Sequence, residues 1–441
     1  MVTSGRMSPW CLLTLLTLVP LTLSSNAGVK VKLTQKGLEY ARQIGMTTLQ
    51  QKLKTIKVPD LSGTEKVAPI GKVKYTLMQI TSLGLPKSQM GMVPGTGVSL
   101  AIGNAFLSLH GNWKVRYLHF IKDSGSFDLA VKDLTINTNI ALKSDETGRP
   151  AVNTVSCTSN VGSASIKFHG GASWLYNLFS AYIDKALRSA LQKQICPLVS
   201  DAISELNPHL KTLNVLAPVD KYAEIEYSMV ASPVVSKAFV DFGLKGEFYN
   251  IGRHKEPPFS PPVFGLPPQV NNMLYIGVSS FTANSASFVY NNAGAFNLFI
   301  TDDMIPPSSP IRLNTRTFGA FIPQLAKEYP GLMMKLLVKT TRQPIISFQV
   351  NNVTLQASGT VTAYAIQMSM SLGASYVGPF QVKSLDNIFL MVLKVAVLPK
   401  INAHLQKGYP LPAIGKMSLV NTQLQVLKDY MLIGTDVSFR G

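Results

Sequence analysis

Six histidines, His110, His119, His169, His209, His254 and His404, are scattered along the chain. None falls in the His-Glu-x-x-His spacing that sets two imidazoles on one helix face to hold zinc. Gly97-Val98-Ser99-Leu100-Ala101 has the start of a hydrolase elbow but lacks the second glycine of that motif. Asp302 and Asp303 are adjacent, so in an extended segment they point to opposite faces. The following Ile305-Pro306-Pro307 makes a turn the better description than a carboxylate pair. No catalytic residue, metal site or cofactor is expected. The basic residues are not interleaved with a nucleic-acid reader motif either.

What remains is positive charge, apolar bulk and sulfur. The 441 residues carry 41 Lys+Arg against 23 Asp+Glu, a formal net charge of +18, with only 15% charged and 46% hydrophobic residues. Mean hydropathy is +0.18. Such a chain has more apolar surface to hide than a disordered one, and its excess cation calls for an anionic partner: nucleic acid, a heparin-like glycan or anionic lipid. The excess is concentrated near the start of the expected mature chain. Lys30 to Lys87 hold eleven basic residues against Glu39, Asp60 and Glu65.

Residues 1–27 read as a secretory leader: Arg6, the apolar run Leu12 to Leu23, then Ser24, Ser25, Asn26 and Ala27. That run is shorter than the roughly 20 residues a membrane span needs, and Leu385 to Leu398 is broken by Asp386 and Lys394. A secreted chain is expected, released at once or stored in granules. Cys11 leaves with the leader, so Cys157 and Cys196 remain in an oxidising compartment and are expected to pair, the alternative being two buried free thiols. Asn352-Val353-Thr354 is an N-glycosylation triplet, with Asn352 the acceptor.

The elements that must position these groups are mainly strands. Phe127, Leu129 and Val131 share one face, and Leu134, Ile136, Ile140 and Leu142 resume it after a one-residue slip at Lys132-Asp133, the mark of a bulge. Val29-Val31-Leu33, Ala238-Val240-Phe242-Leu244 and Ile346-Phe348-Val350 alternate likewise. Helical spacing follows Thr34, a candidate N-cap, through Leu38, Ala41, Gly45, Leu49 and Leu53. It recurs from Trp174 and Leu175 through Phe179, Tyr182 and Ile183 to Ile195, and from Leu385 to Leu405. Six prolines between Glu256 and Gln269 forbid helix and central strand and split the mature chain into two halves.

Gly28 to Ala41, Ile56-Lys57-Val58-Pro59-Asp60, Met92-Val93-Pro94, Gly125 to Leu129, Lys245 to Tyr249, the proline run from Pro257, Asp302 to Pro306, Gly378-Pro379-Phe380 and Leu405 to Pro412 occur in an order that resembles one family. It is that of bactericidal permeability-increasing protein and lipopolysaccharide-binding protein, and the likeness spans the mature chain. The resemblance implies an α+β, mainly antiparallel fold: an elongated boomerang of two barrels, each a twisted sheet with long helices, joined by a central sheet and the proline-rich linker. It implies halves at 28–225 and 269–441 around a 226–268 connector, and a single disulfide at the two cysteines. Each barrel would hold phospholipid in an apolar pocket, for which Leu38, Leu49, Leu53, Leu175, Phe179, Tyr182 and Ile183 are the candidates. Near Ala365 to Met370 the second half is shorter than the family's, which puts strands of that half at stake.

In family terms, the tip of the first barrel joins the loop of Lys66 and Lys72 to the hairpin Trp113 to Lys122. The endotoxin-binding role is carried onto Lys66, Lys72, Lys114, Arg116 and Lys122, with Trp113 as an interfacial anchor. The implied function is a monomeric innate-defence protein that binds the lipid A part of lipopolysaccharide at the Gram-negative outer surface and is antibacterial or endotoxin-neutralising. The hairpin is less basic than in strongly bactericidal members. The alternatives are an endotoxin-presenting protein and a plasma-type carrier of phospholipid or neutral lipid, whose binding would depend little on salt.

Overall fold

The computed structural model describes residues 26–55, 61–67, 71–117, 121–178, 180–366, 385–406, 408, 411 and 417–439. The expected leader, apart from Asn26 and Ala27, lies outside this set. Strand β1 (Val29–Thr34) leads into helix α1 (Gln35–Thr55). Thr34 caps the helix as expected, its Oγ1 accepting from the Gly37 N–H at 3.4 Å. Then come β2 (Leu61–Val67), β3 (Gly71–Gly84), β4 (Lys87–Val93), β5 (Gly97–Tyr117), β6 (Ile121–Ser144), β7 (Pro150–Asn160) and β8 (Ser163–His169).

These seven strands form one antiparallel sheet with β5 and β6 as its spine. At one end the spine pairs with β3 and β8, at the other with β4 and β7. The change of partner falls where the spine bulges. Val131 faces Leu107 and Leu134 faces Ala105, so Lys132 and Asp133 oppose the single Phe106, and Asp133 takes φ 51°. Asn104, φ 53°, makes the matching irregularity on β5. The slip read at Lys132-Asp133 is therefore real. It keeps Phe127, Leu129, Val131, Leu134 and Ile136 on the buried face, where each large side chain contributes about 1.5–3 kcal/mol.

Helix α2 (Ser173–Asn177), α3 (Ser180–Ser204) and α4 (Leu206–Lys211) follow. The single stripe expected from Trp174 to Ile195 is broken between α2 and α3. The packing of α1 and α3 on the sheet buries Leu38 with Val98, Ile140 and Ile203, and Leu191 with Trp113 and Phe127.

Next come β9 (Leu216–Pro218), β10 (Ala223–Glu226), β11 (Val234–Val235), β12 (Phe239–Leu244), β13 (Glu247–Asn250) and β14 (Leu274–Ser279), then α5 (Ser280–Asn292). The second half adds β15 (Leu298–Ile300), α6 (Thr315–Gly319), α7 (Pro323–Glu328), β16 (Met334–Thr340), β17 (Ile345–Gln349), β18 (Asn352–Gln356), β19 (Gly359–Ala365), α8 (Asp386–Val392), α9 (Leu398–Leu405), β20 (Met417–Leu427) and β21 (Tyr430–Phe439). A six-stranded sheet in the order β11-β12-β1-β14-β21-β20 joins both halves. Residues 257–268 have no regular structure and lie along that sheet. The Lys32 Nζ, 2% exposed, donates to the carbonyls of Leu266 and Pro267 at 3.2 and 3.0 Å and sits 4.1 Å from the Phe239 ring centre. A proline run leaves carbonyls outside any strand ladder, and here they solvate a buried ammonium.

The fold is thus mixed α and β with antiparallel sheets, as expected. Among the described residues each sheet is an open path rather than a closed barrel. In the second half every residue of β18, and all but the last of β19, is exposed. Asn352 opens β18 on the solvent side. Asp302 and Asp303 lie in a 3-10 turn, where Asp302 Oδ1 accepts from the Leu313 N–H at 2.7 Å.

Candidate functional site

The β5–β6 hairpin and its neighbours bring the basic candidates into register. Lys66 of β2 is directly opposite Lys72 of β3, Lys72 opposite Arg116 of β5, and Arg116 opposite Lys122 of β6. Four cationic positions therefore form one continuous row across four adjacent strands. One step along, Lys74 faces Lys114, with Ser62 and Ser124 flanking. Lys74, Lys114 and Lys122 are exposed, while Val115 and Trp113, between the cations in sequence, are buried. The side chains of Lys66, Lys72 and Arg116 lie outside the described set, so only their register is stated. Lys74 was not singled out from the sequence, although the two-residue step from Lys72 was the available sign of a shared face.

Trp113 corrects an expectation. It is 0% exposed, its Nε1–H donates to the Ser126 carbonyl at 3.0 Å and the His169 carbonyl at 3.3 Å, and it meets Phe168 edge-on at 5.6 Å. Odd-numbered positions of this stretch of β5 face the core, so the indole is a core group under the basic rows and not an interfacial anchor. In a Trp174→Phe variant of residues 28–441 its emission should be blue-shifted, resist iodide quenching and stay unchanged when lipid A vesicles are added. A shift on adding lipid, or quenching by brominated lipid, would restore the anchor.

The charge count along the chain also misplaces part of the cation. Lys30 and Lys32 lie in the central sheet, Lys36 pairs with Asp436 at 3.0 Å, and Arg42 is hydrogen-bonded to Glu39. Beyond the basic rows, the outer sheet surface continues with His110 and His169, whose ring nitrogens lie 2.7 and 2.9 Å from the two oxygens of Asp128. The His110 hydrogen bond first, then that of His169, holds the Asp128 carboxyl below its ordinary range.

Under the sheet, Cys157 of β7 and Cys196 of α3 form a disulfide. Of the pocket candidates, Leu38 is buried against Val98 and Ile203. Leu49 and Leu53 fall on α1, Tyr182 and Ile183 on α3 and Leu175 on α2. Their side chains, and Phe179 altogether, lie outside the described residues. No group of three or more His, Cys, Asp or Glu able to hold a metal occurs among the described residues. No helix among them is long and apolar enough to cross a membrane.

The comparisons with known proteins agree with this architecture. The family described as LBP / BPI / CETP matches with its N-terminal domain over 37–206 and its C-terminal domain over 217–373 and 366–439. The chain belongs to this family. It is 66% identical over 469 residues to a bactericidal permeability-increasing protein of Sebastes schlegelii, covering 98% of this chain and 99% of the relative. It is 33% identical over 479 residues to a lipopolysaccharide-binding protein of Bos taurus, covering 100% and 99%. The crystal structure of a lipopolysaccharide binding protein superposes with a TM-score of 0.62 at 31% identity, covering 94% of this chain and 99% of that one.

Proposed function

We propose that this chain is an exported innate-defence protein that binds the lipid A part of lipopolysaccharide through the basic end of its N-terminal sheet. In this reading residues 28–225 form the endotoxin-binding half, 226–268 the connector and 269–441 the second half, with apolar pockets holding phospholipid. The outcome at the Gram-negative surface is antibacterial or endotoxin-neutralising. The observation that carries the proposal is the row Lys66, Lys72, Arg116, Lys122, with Lys74 and Lys114 beside it.

Like charges directly opposite on neighbouring strands destabilise a sheet. A row of them is costly in isolation and offset once a multiply charged anion lies across it. Lipid A presents two phosphates beside acyl chains, which fits basic rows at the end of an apolar-cored sheet. The names of the relatives, bactericidal permeability-increasing protein and lipopolysaccharide-binding protein, support the same ligand.

The test is binding to lipid A vesicles across a salt series. Screening shortens from about 8 Å at 0.15 M salt to about 3 Å at 1 M, so affinity should fall by roughly tenfold or more over that range. Affinity indifferent to salt, with lipid still exchanged between particles, would favour the carrier alternative. Native mass spectrometry of the secreted protein before and after endotoxin would count pocket lipids at the same time.

A further inference from the structure

A second concentration of cation lies beside the separate three-stranded sheet β13-β10-β9 and belongs to none of the features above. The turn before β10, the segment after β13 and the last turn of α5 border an open cleft of about 310 Å³. Lys221, Arg253 and Lys255 line it together with Tyr222, Asn250 and Asn292. No carboxylate is among the lining residues. We propose that this cleft is a binding site for a phosphate ester with a small polyol body, held by Lys221, Arg253 and Lys255.

The frame is built independently of any ligand. The Ile251 N–H donates to the Tyr222 carbonyl at 3.1 Å, which ties the two loops together. Asn250 Nδ2 donates to the Val289 carbonyl at 3.0 Å, and the Tyr290 hydroxyl donates to Asp220 Oδ2 at 3.0 Å, tying both loops to α5. His254 stacks on Tyr249 with ring centres 3.6 Å apart. Arg253 and Lys255 flank His254 in the chain, and both line the cleft.

Two ordinary uses for these cations are already filled by other groups. Asp220, next to Lys221, accepts from the N–H groups of Tyr222 and Ala223 at 2.8 and 3.0 Å as well as from Tyr290. The carbonyls at the C-terminal end of α5 are met by N–H donors: Val289 by Ala293, Tyr290 by Ala295 and Asn291 by Gly294. Lys221 and Lys255 lie over the Tyr222 and Phe288 rings, 4.7 and 5.7 Å from the ring centres, but neither an ion pair nor helix capping accounts for three cations around one concavity, where their fields add and attract a multiply charged anion. The volume sits at the lower end of the roughly 300–1,000 Å³ typical of small-molecule sites, which suits a phosphorylated polyol. Exposed Ile251 at the rim offers an aliphatic contact.

The site is remote from the basic rows and does not rest on their assignment. Strand β6 spans 24 residues, up to about 75 Å at about 3.3 Å per residue. Its far end reaches the central region, where the Ser144 N–H donates to Ser232. One lipid A molecule at the rows would not extend to the cleft.

The test uses the full secreted chain carrying Lys66, Lys72, Lys114 and Arg116 all changed to Glu, so that the rows no longer contribute. Inositol bisphosphate is titrated by calorimetry, and flotation with phosphatidylcholine vesicles containing phosphatidylinositol phosphate is measured in parallel. Saturable binding in either arm is expected, weakened at least about tenfold by Arg253→Glu with Lys255→Glu. Lys237→Glu, an exposed lysine outside the cleft, should leave it unchanged. Binding of the free ester alone identifies a soluble ligand, and binding of vesicles identifies a lipid headgroup. No binding in either arm, or equal loss with Lys237→Glu, would overturn the proposal; circular dichroism confirms that each variant is folded.

Discussion

Changing Lys66, Lys72, Lys114 and Arg116 together to glutamate is expected to abolish lipid A binding and, if the proposed pockets carry phospholipid, to leave that phospholipid in place. Each basic residue near an anionic lipid surface contributes about 1 kcal/mol. Losing four removes about 4 kcal/mol, close to a thousandfold in affinity, and the new carboxylates add repulsion. Surface plasmon resonance on lipid A bilayers measures the loss, and native mass spectrometry measures retained phospholipid. A reversed variant that bound within a few-fold of the parent would sink the basic-row assignment. A milder change separates binding from folding. Lys72 stands between two like charges in the row, so Lys72→Thr should raise stability slightly while lowering affinity, the trade expected where a strained charge arrangement serves a ligand.

Replacing Cys157 and Cys196 by serine should be the largest single loss of stability in the N-terminal half. The bond closes a loop with a sequence separation of 39, and the chain-entropy model assigns about 4 kcal/mol to a loop of that length. It also fastens α3 to β7, and α3 supplies Leu191 to the core beneath β5 and β6. Urea unfolding followed by Trp113 emission in a Trp174→Phe background would report this half, because Trp113 is buried in that core. A midpoint unchanged from the disulfide-bonded protein would show that the helix is held by packing alone. The basic rows lie at the far end of the spine from β7, so lipid A affinity measured well below the unfolding transition should change little.

Much of the first sheet was legible because its signals are local. Alternation along β6 and the slip at Lys132-Asp133 are properties of a dozen consecutive residues, and the pleat turns them directly into one buried face. The Thr34 cap needs only the three residues after it. The α2–α3 break was not legible, because the apolar stripe runs on through it and the interruption at Leu178 is marked by no Gly or Pro. Trp113 was misjudged because its type favours interfaces, whereas its position in the pleat, between exposed Asn112 and Lys114, assigns it to the core. The tally of cations from Lys30 to Lys87 grouped residues by sequence proximity and so mixed the central sheet with the hairpins.

The sequence by itself determined the material: an apolar, cationic chain rich in strands, with two cysteines left to pair and a family likeness along its length. Only the tertiary structure decided which charges act together. The row from Lys66 to Lys122 exists through the pairing of four strands, and the cleft of Lys221, Arg253 and Lys255 through three segments tied by hydrogen bonds. Strand register and loop docking are set by contacts between residues far apart in the chain. Spacing along the sequence reports which face a residue occupies, but not which residue stands opposite.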